Sequence, residues 1–460
     1  MQILYCHKLA ASAVVCLLCA GGAASVAAEP TYSLTSGRRT GDVDGVRVKV
    51  DVGGHLKLAD QDEEKLRPLK MSVVGEMRYD ERFLQGQPTR TDRLRSIRYY
   101  EQAKAAIKIE NGSSQPELRL SRAVVSVEAS GGVTTMFSPD GPLSQDEADL
   151  IDVHANSLLL ETLLPGKPVA KGQRWPHSFV VIAGLLGLDS VRDANVFSEI
   201  EEVEGDLVKI ALQGTVQGVA DGAVTTIGLK GRYQFDLNRS RITWLALLLK
   251  EDREIGHVTP GVEATARVQV FVTPGGGTDK LQDDLVSKAS QSASPMLTEL
   301  TYQPQHGNYQ FSYDRRWHIM TDEPNLMTMR MVVDDELIAQ CKVSTPASPS
   351  TAKVRLSDFQ KDIETSLGDD FGQFTQASVS ANDRGQSIRR VIAIGQVDEL
   401  PVQWNYYHVT DDDGNQVVFA FTFEASLGEQ FGAADQAIVA SLRFFPPTQQ
   451  ASSRRDQPAK

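Results

Sequence analysis

Apolar and polar residues alternate along most of this chain, in segments separated by turn-forming pairs. Val46-Arg-Val-Lys-Val-Asp-Val52 puts four valines on one face at period two, the signature of a half-buried strand. Runs of the same kind follow at 69–83, 96–110, 118–129 and 133–137, then at 191–203, 207–219, 224–237, 242–253 and 262–272. Several are longer than an average strand, which predicts a twisted, curved sheet. Asp44-Gly45, Gly53-Gly54, Asn111-Gly112, Gly131-Gly132 and Asp221-Gly222 are pairs that accept the positive φ of tight turns. Hairpin following hairpin implies an antiparallel meander without βαβ crossovers.

The period changes at Ser144. Ser144-Gln-Asp-Glu147 reads as a capping box, and Ile151, Ala155, Leu158, Leu159 and Leu163 form one apolar stripe. Pro165-Gly166 ends the segment, so the pattern predicts a helix over 144–163; a shorter one is predicted over 180–188. A meander must bury its inner face, and these helices are its natural lid or plug.

Pro274-Gly-Gly-Gly277 interrupts both regular structures, and 274–295 reads as an interdomain linker. Within it, Leu281, Leu285 and Ala289 are spaced by four, which predicts a short amphipathic helix with Thr278 as N-cap. Beyond it, strands are predicted at 309–313, 329–333, 337–343, 374–380, 387–395, 402–409 and 416–423. A helix with its own capping box, Ser357-Asp-Phe-Gln360, falls among them, and a last helix spans 429–442. The expected fold class is α+β. A long curved, half-barrel-like antiparallel sheet with one main helix occupies 29–273. A smaller α+β region with an antiparallel sheet occupies 296–446, before a polar, disordered tail over 447–460.

The amino terminus adds a destination. Lys8, the apolar run 9–20 and the small residues Val26-Ala27-Ala28 make a secretory signal peptide over 1–28. The protein is expected to be exported, periplasmic or extracellular. The apolar run is shorter than the roughly 20 residues a spanning helix needs, so no transmembrane segment is expected after signal removal. Three of the four cysteines leave with the signal, and Cys341 alone cannot form an intramolecular disulfide. The net charge of −13 argues against nucleic acid as partner.

Two strings carry resemblances. Leu164-Pro-Gly-Lys-Pro-Val-Ala-Lys-Gly-Gln-Arg-Trp175 and Lys230-Gly-Arg-Tyr-Gln-Phe-Asp236 resemble a family of uncharacterised exported bacterial proteins. In layout, a curved sheet around a helix is also similar to LolA/LprG-type lipid carriers. Tyr309-Gln-Phe-Ser-Tyr-Asp-Arg-Arg-Trp317, Trp404-Asn-Tyr-Tyr-His-Val409 and Asp435-Gln-Ala-Ile-Val-Ala-Ser-Leu-Arg-Phe444 resemble the PsbP-like family. That resemblance implies an α-β-α sandwich over 296–446 that serves as a non-catalytic binding or assembly module.

No stretch specifies a reaction. The serine-hydrolase, zincin, P-loop and dinucleotide motifs are all missing from the sequence, so no catalytic, cofactor or metal residue is assigned. Cys341 shares an apolar strand face with Leu337, Ala339 and Val343, which favours core over a nucleophile paired with His318 or His408. Asp411-Asp-Asp-Gly-Asn415 reads as a hairpin turn, lacking the alternating ligands of a calcium loop. Asp149, Asp152 and His154 read as a solvated helix face, and Glu199, Glu201, Glu202 and Glu204 as a run leading into a turn. The first functional reading is a non-catalytic binding protein of the cell envelope, with an unknown protein or envelope component as partner. The second is a carrier of a lipid or other apolar ligand held between the curved sheet and the helix. An enzyme of unknown type comes third.

Overall fold

The computed structural model describes residues 30–59, 66–289, 293–305, 307–333, 336–345 and 354–445. The signal peptide and the tail expected from the sequence lie outside the described residues.

Twelve strands among the described residues form one antiparallel sheet. In spatial order eleven of them run Arg174–Pro176, Ser190–Glu204, Leu207–Ala220, Ala223–Asp236, Arg241–Arg253, Gly261–Pro274, Val43–Ala59, Leu66–Gln85, Leu94–Ile109, Val124–Ser130 and Val133–Phe137, and Gly112–Ser114 pairs with Leu94–Ile109 off this path. Apart from the join of Gly261–Pro274 to Val43–Ala59, each long strand pairs with its sequence neighbour, as a meander requires. Strands of up to 20 residues exceed the expected lengths. Asp44-Gly45 and Gly53-Gly54 are not turns but stand inside Val43–Ala59. Gly54 is needed there for close approach: a Cβ would lie 2.2 Å from the Glu263 carbonyl oxygen of the neighbouring strand.

The sheet curves around its plug without closing into a barrel. Phe179–Leu186, capped by the Ser178 side chain, packs against Ser190–Glu204 near one edge and Val133–Phe137 at the other. The expected helix over 144–163 is two pieces. The Ser144/Glu147 capping box forms and starts the helix Gln145–Ile151. The chain then breaks, with Ala155 at φ 62°, and resumes as the 3-10 helix Ser157–Leu163. The break lets Asn156 accept from the Leu158 amide and from Arg98 of the sheet, which a continuous helix would prevent. Leu158, Leu163, Ile182 and Leu186 are fully buried against the inner face of the sheet. Each such side chain contributes about 1.5–3 kcal/mol.

The second sheet has seven strands, ordered Trp317–Glu323, Leu326–Val333, Glu336–Ser344, Gln416–Glu424, Leu400–Thr410, Ser387–Val397 and Phe371–Ala381. Trp317–Glu323 is a further strand, between the predicted strands 309–313 and 329–333. The helix Leu356–Leu367 packs Phe359 and Ile363 against Val391. Its expected capping box does not form: the helix starts one residue before Ser357, and Arg355 takes the N-cap position without a side-chain bond. The last helix is interrupted at Gly432, φ 57°, giving Gly428–Phe431 and Ala434–Ser441.

The region expected as a linker is docked. Pro274 still pairs with Asp44, and Thr278, predicted as an N-cap, instead donates its amide to Asp80 at 2.8 Å. Leu281 is buried with Ile97 and Val124 ahead of the helix Asp283–Ala289. The two sheets are also bridged by a small four-stranded sheet, in which Leu143–Ser144 runs parallel to Leu300–Thr301, and one connected apolar core continues across that junction.

Candidate functional site

The inner face of the large sheet extends past its plug. Where the plug ends, Val50, Val52, Leu56 and Met71 from two strands and Ala264 and Ala266 from a third stand half-buried. They line a cavity of about 280 Å³ with Val153 and Pro260 among its other apolar walls, and Asp152, His154, Glu251 and Arg253 as its polar groups. The volume is just below the roughly 300–1,000 Å³ usual for small-molecule sites, and the apolar lining with few polar groups is the usual pattern. Desolvation raises the Asp152 carboxyl above its ordinary range, and Arg315, just ahead of the strand Trp317–Glu323, partly offsets this. Arg253 is tied to Asp221 at 2.7 Å.

The plug is fixed by a buried chain of alternating charges. Arg98 Nε donates to Glu81 at 2.8 Å, and Arg38 reaches Glu81 at 2.9 Å and Asp44 at 3.4 Å. Arg241 joins Asp44 to Glu161, the latter at 3.0 Å. Three guanidinium groups thus balance three carboxylates between the sheet and Ser157–Leu163. Glu81 also accepts from Ser96 at 2.9 Å and Ser157 at 2.8 Å. Burial alone would raise the Glu81 carboxyl, but Arg98 and Arg38 outweigh it and hold it down at about 2. Glu161 goes the other way: burial raises its carboxyl more than Arg241 lowers it. This network holds the segment leading from Val153, and so one wall of the cavity.

The sequence reading missed these residues, although a signal was present. Met77, Tyr79, Glu81 and Phe83 alternate onto one face, so Glu81 is a charge at a core position; Asp44 has the same relation to Val46 and Val48.

The candidates from the sequence are dispersed. Cys341 is fully buried in the second sheet, where burial pushes its thiol well above the ordinary range. His408 is buried with its Nε2 3.0 Å from Gln416, and His318 lies on the strand Trp317–Glu323. The Asp411 carboxylate folds back on its own loop, accepting from the Asp413 and Asn415 amides, which makes the segment a hairpin turn. Glu199, Glu201, Glu202 and Glu204 are cross-strand ion-pair partners of Arg174, Arg232 and Lys209. Asp152 and His154 line the cavity, so they are more than a solvated face. Tyr407 is buried and donates to Asp435 at 2.6 Å, while Tyr406 packs edge-on against Phe359. No group of three metal-ligating side chains occurs among the described residues, and none of their helices is long and apolar enough to cross a membrane.

No protein-family model matches this sequence. No curated protein matches it either. Among solved structures it is weakly similar to cyanobacterial PsbP (CyanoP) from Synechocystis sp. PCC 6803. That match has 14% identity and a TM-score of 0.27, covering 32% of this chain and 92% of that one. A lipovitellin structure matches at 10% identity and a TM-score of 0.30, over 53% of this chain and 26% of its own. The immunity protein TplEi of Pseudomonas aeruginosa matches at 10% identity and 0.20, over 50% and 95%. Likenesses of this size leave function to be argued from the chain's own geometry.

Proposed function

We propose that this chain is an exported, non-catalytic binding protein of the cell envelope that holds an apolar ligand against the inner face of its large sheet. The observation that carries the reading is the half-buried apolar strip beside the plug, around a cavity of about 280 Å³. Apolar surface left open to water at one cleft is a standing invitation to an apolar ligand, because covering it is favourable. The occupant that fits is an acyl chain: narrow, flexible and able to run along the strip, with its polar end toward Asp152, His154 and Arg253. Native mass spectrometry of protein purified from its own envelope is expected to show a co-purifying lipid. Ala266→Arg, which fills the strip with a charged side chain, is expected to abolish that adduct while leaving the melting temperature within a few degrees. A ligand-free wild type that also fails to take up a fluorescent fatty acid would sink the reading.

A second reading, binding to a protein partner, is favoured by a different feature. Phe371–Ala381 is an edge strand of 11 residues, F-G-Q-F-T-Q-A-S-V-S-A, without one charge or proline and with Val379 55% exposed. Edge strands are usually blunted by such residues, and an unblunted one suits strand addition by an extended segment of another protein.

A further inference from the structure

The outer face of the large sheet, opposite the plug, is hollowed into a groove of about 920 Å³. Register sets out its contents. One row across the strands reads Gln213, Lys230, Leu248, Arg267, Asp51; the next reads Ala211, Arg232, Ala246, Gln269, Lys49. Trp244 stands one step further along, half-exposed. The acidic members of the groove are largely spoken for. Glu201 binds Arg232 at 2.9 Å, and Glu76 binds Arg47 at 2.9 Å and Arg78 at 3.2 Å. Lys49, Lys230 and Arg267 have no carboxylate within 4.0 Å among the described residues, although Asp51 stands across from Arg267 and Glu76 across from Lys49. A chain with net charge −13 therefore concentrates three unpaired cations on one concave surface.

We infer that this groove is a binding site for an acidic oligosaccharide. The three cations match carboxylate or phosphate groups along an extended chain; Lys230 and Arg267 are two strands apart, roughly 10 Å. Among the described residues Gln213, Gln269 and Asp51 have no side-chain partners, and they offer both donors and acceptors, which suits hydroxyl groups. Trp244, whose indole N–H is also without a partner among the described residues, gives a flat face for the apolar side of a sugar ring, with its donor at the edge. An acyl chain would leave these amides and Asp51 unmatched. The site is on the opposite face from the acyl-chain cavity, so either proposal can fail without the other.

The chain supplies its own reporter. Trp175, Trp317 and Trp404 are buried, which leaves Trp244 as the tryptophan that a ligand in the groove can touch. Full-length protein titrated with hexagalacturonate is expected to show a saturable change in tryptophan emission that weakens as salt is raised. Neutral hexagalactan should bind at least about tenfold more weakly. By calorimetry, Trp244→Ala and the Lys230→Glu/Arg267→Glu double variant should each lose about tenfold or more in Kd, near 1.4 kcal/mol. All three positions are solvent-facing, and circular dichroism will verify that the variants fold. Three results overturn the proposal: equal affinity for the neutral chain, affinity unchanged in both variants, or tighter Trp244-dependent binding to phosphatidylglycerol vesicles than to the saccharide.

Discussion

Glu81 shows how one side chain governs the interior. It occupies a core position between Tyr79 and Phe83, and it is tolerated because Arg38, Arg98, Ser96 and Ser157 all donate to it. Buried ion pairs add little net stability, yet removing one partner leaves an uncompensated charge at a cost of about 3–5 kcal/mol. Glu81→Gln is expected to destabilise by that order in urea denaturation. The pH dependence follows from the depressed carboxyl, about 2 when folded against an ordinary value of 4.5. Its contribution is fully present above the unfolded value and is lost as pH falls from about 4.5 toward 2. Wild type should therefore lose stability across that window, while Glu81→Gln shows a flatter profile there. Equal slopes for the two proteins would show that Glu81 is not the group responsible.

At the scale of elements, the plug and the edge strand Phe371–Ala381 have opposite designs. The plug breaks at Ala155 so that Asn156, Ser157 and Glu161 can reach the sheet, giving up helical continuity for buried hydrogen bonds. The edge strand has a paired neighbour on one side only among the described residues, with two bulges near Phe371 and Phe374. Strand addition depends on a flat, uncharged edge, so Val379→Lys should act as a blunting substitution. The set of envelope proteins cross-linked to wild type is expected to be lost from this variant. An unchanged set would rule out that edge as the docking element.

For the whole molecule, the two sheets share a core and are not beads on a string. Leu143 and Leu300 are both buried at the parallel pairing that joins them, Arg315 donates to the Met136 carbonyl across the same junction, and the connector is pinned through Thr278 and Leu281. Such an arrangement predicts one cooperative thermal transition despite the chain length. Leu300→Arg places a charge in the junction and should split that transition into two by calorimetry. Two transitions already present in wild type would refute the shared core.

Local alternation was enough to read most strands, their antiparallel order and the plug's capping box, because period and turn chemistry act within a few residues. The same signals misled at Gly53-Gly54, where glycine serves a neighbouring strand, and at Ser357, where the helix starts elsewhere. What is legible in the sequence alone is a β-rich chain with two differently patterned regions, because each pattern is local. Tertiary structure decided what depends on register and contact between distant strands. It brought Arg38, Glu81, Arg98 and Arg241 together, left an apolar strip uncovered beside the plug, and gathered Lys49, Lys230, Arg267 and Trp244 into one groove. Those residues are up to about two hundred positions apart in the chain, and a pattern read locally carries no information about which strand lies beside which.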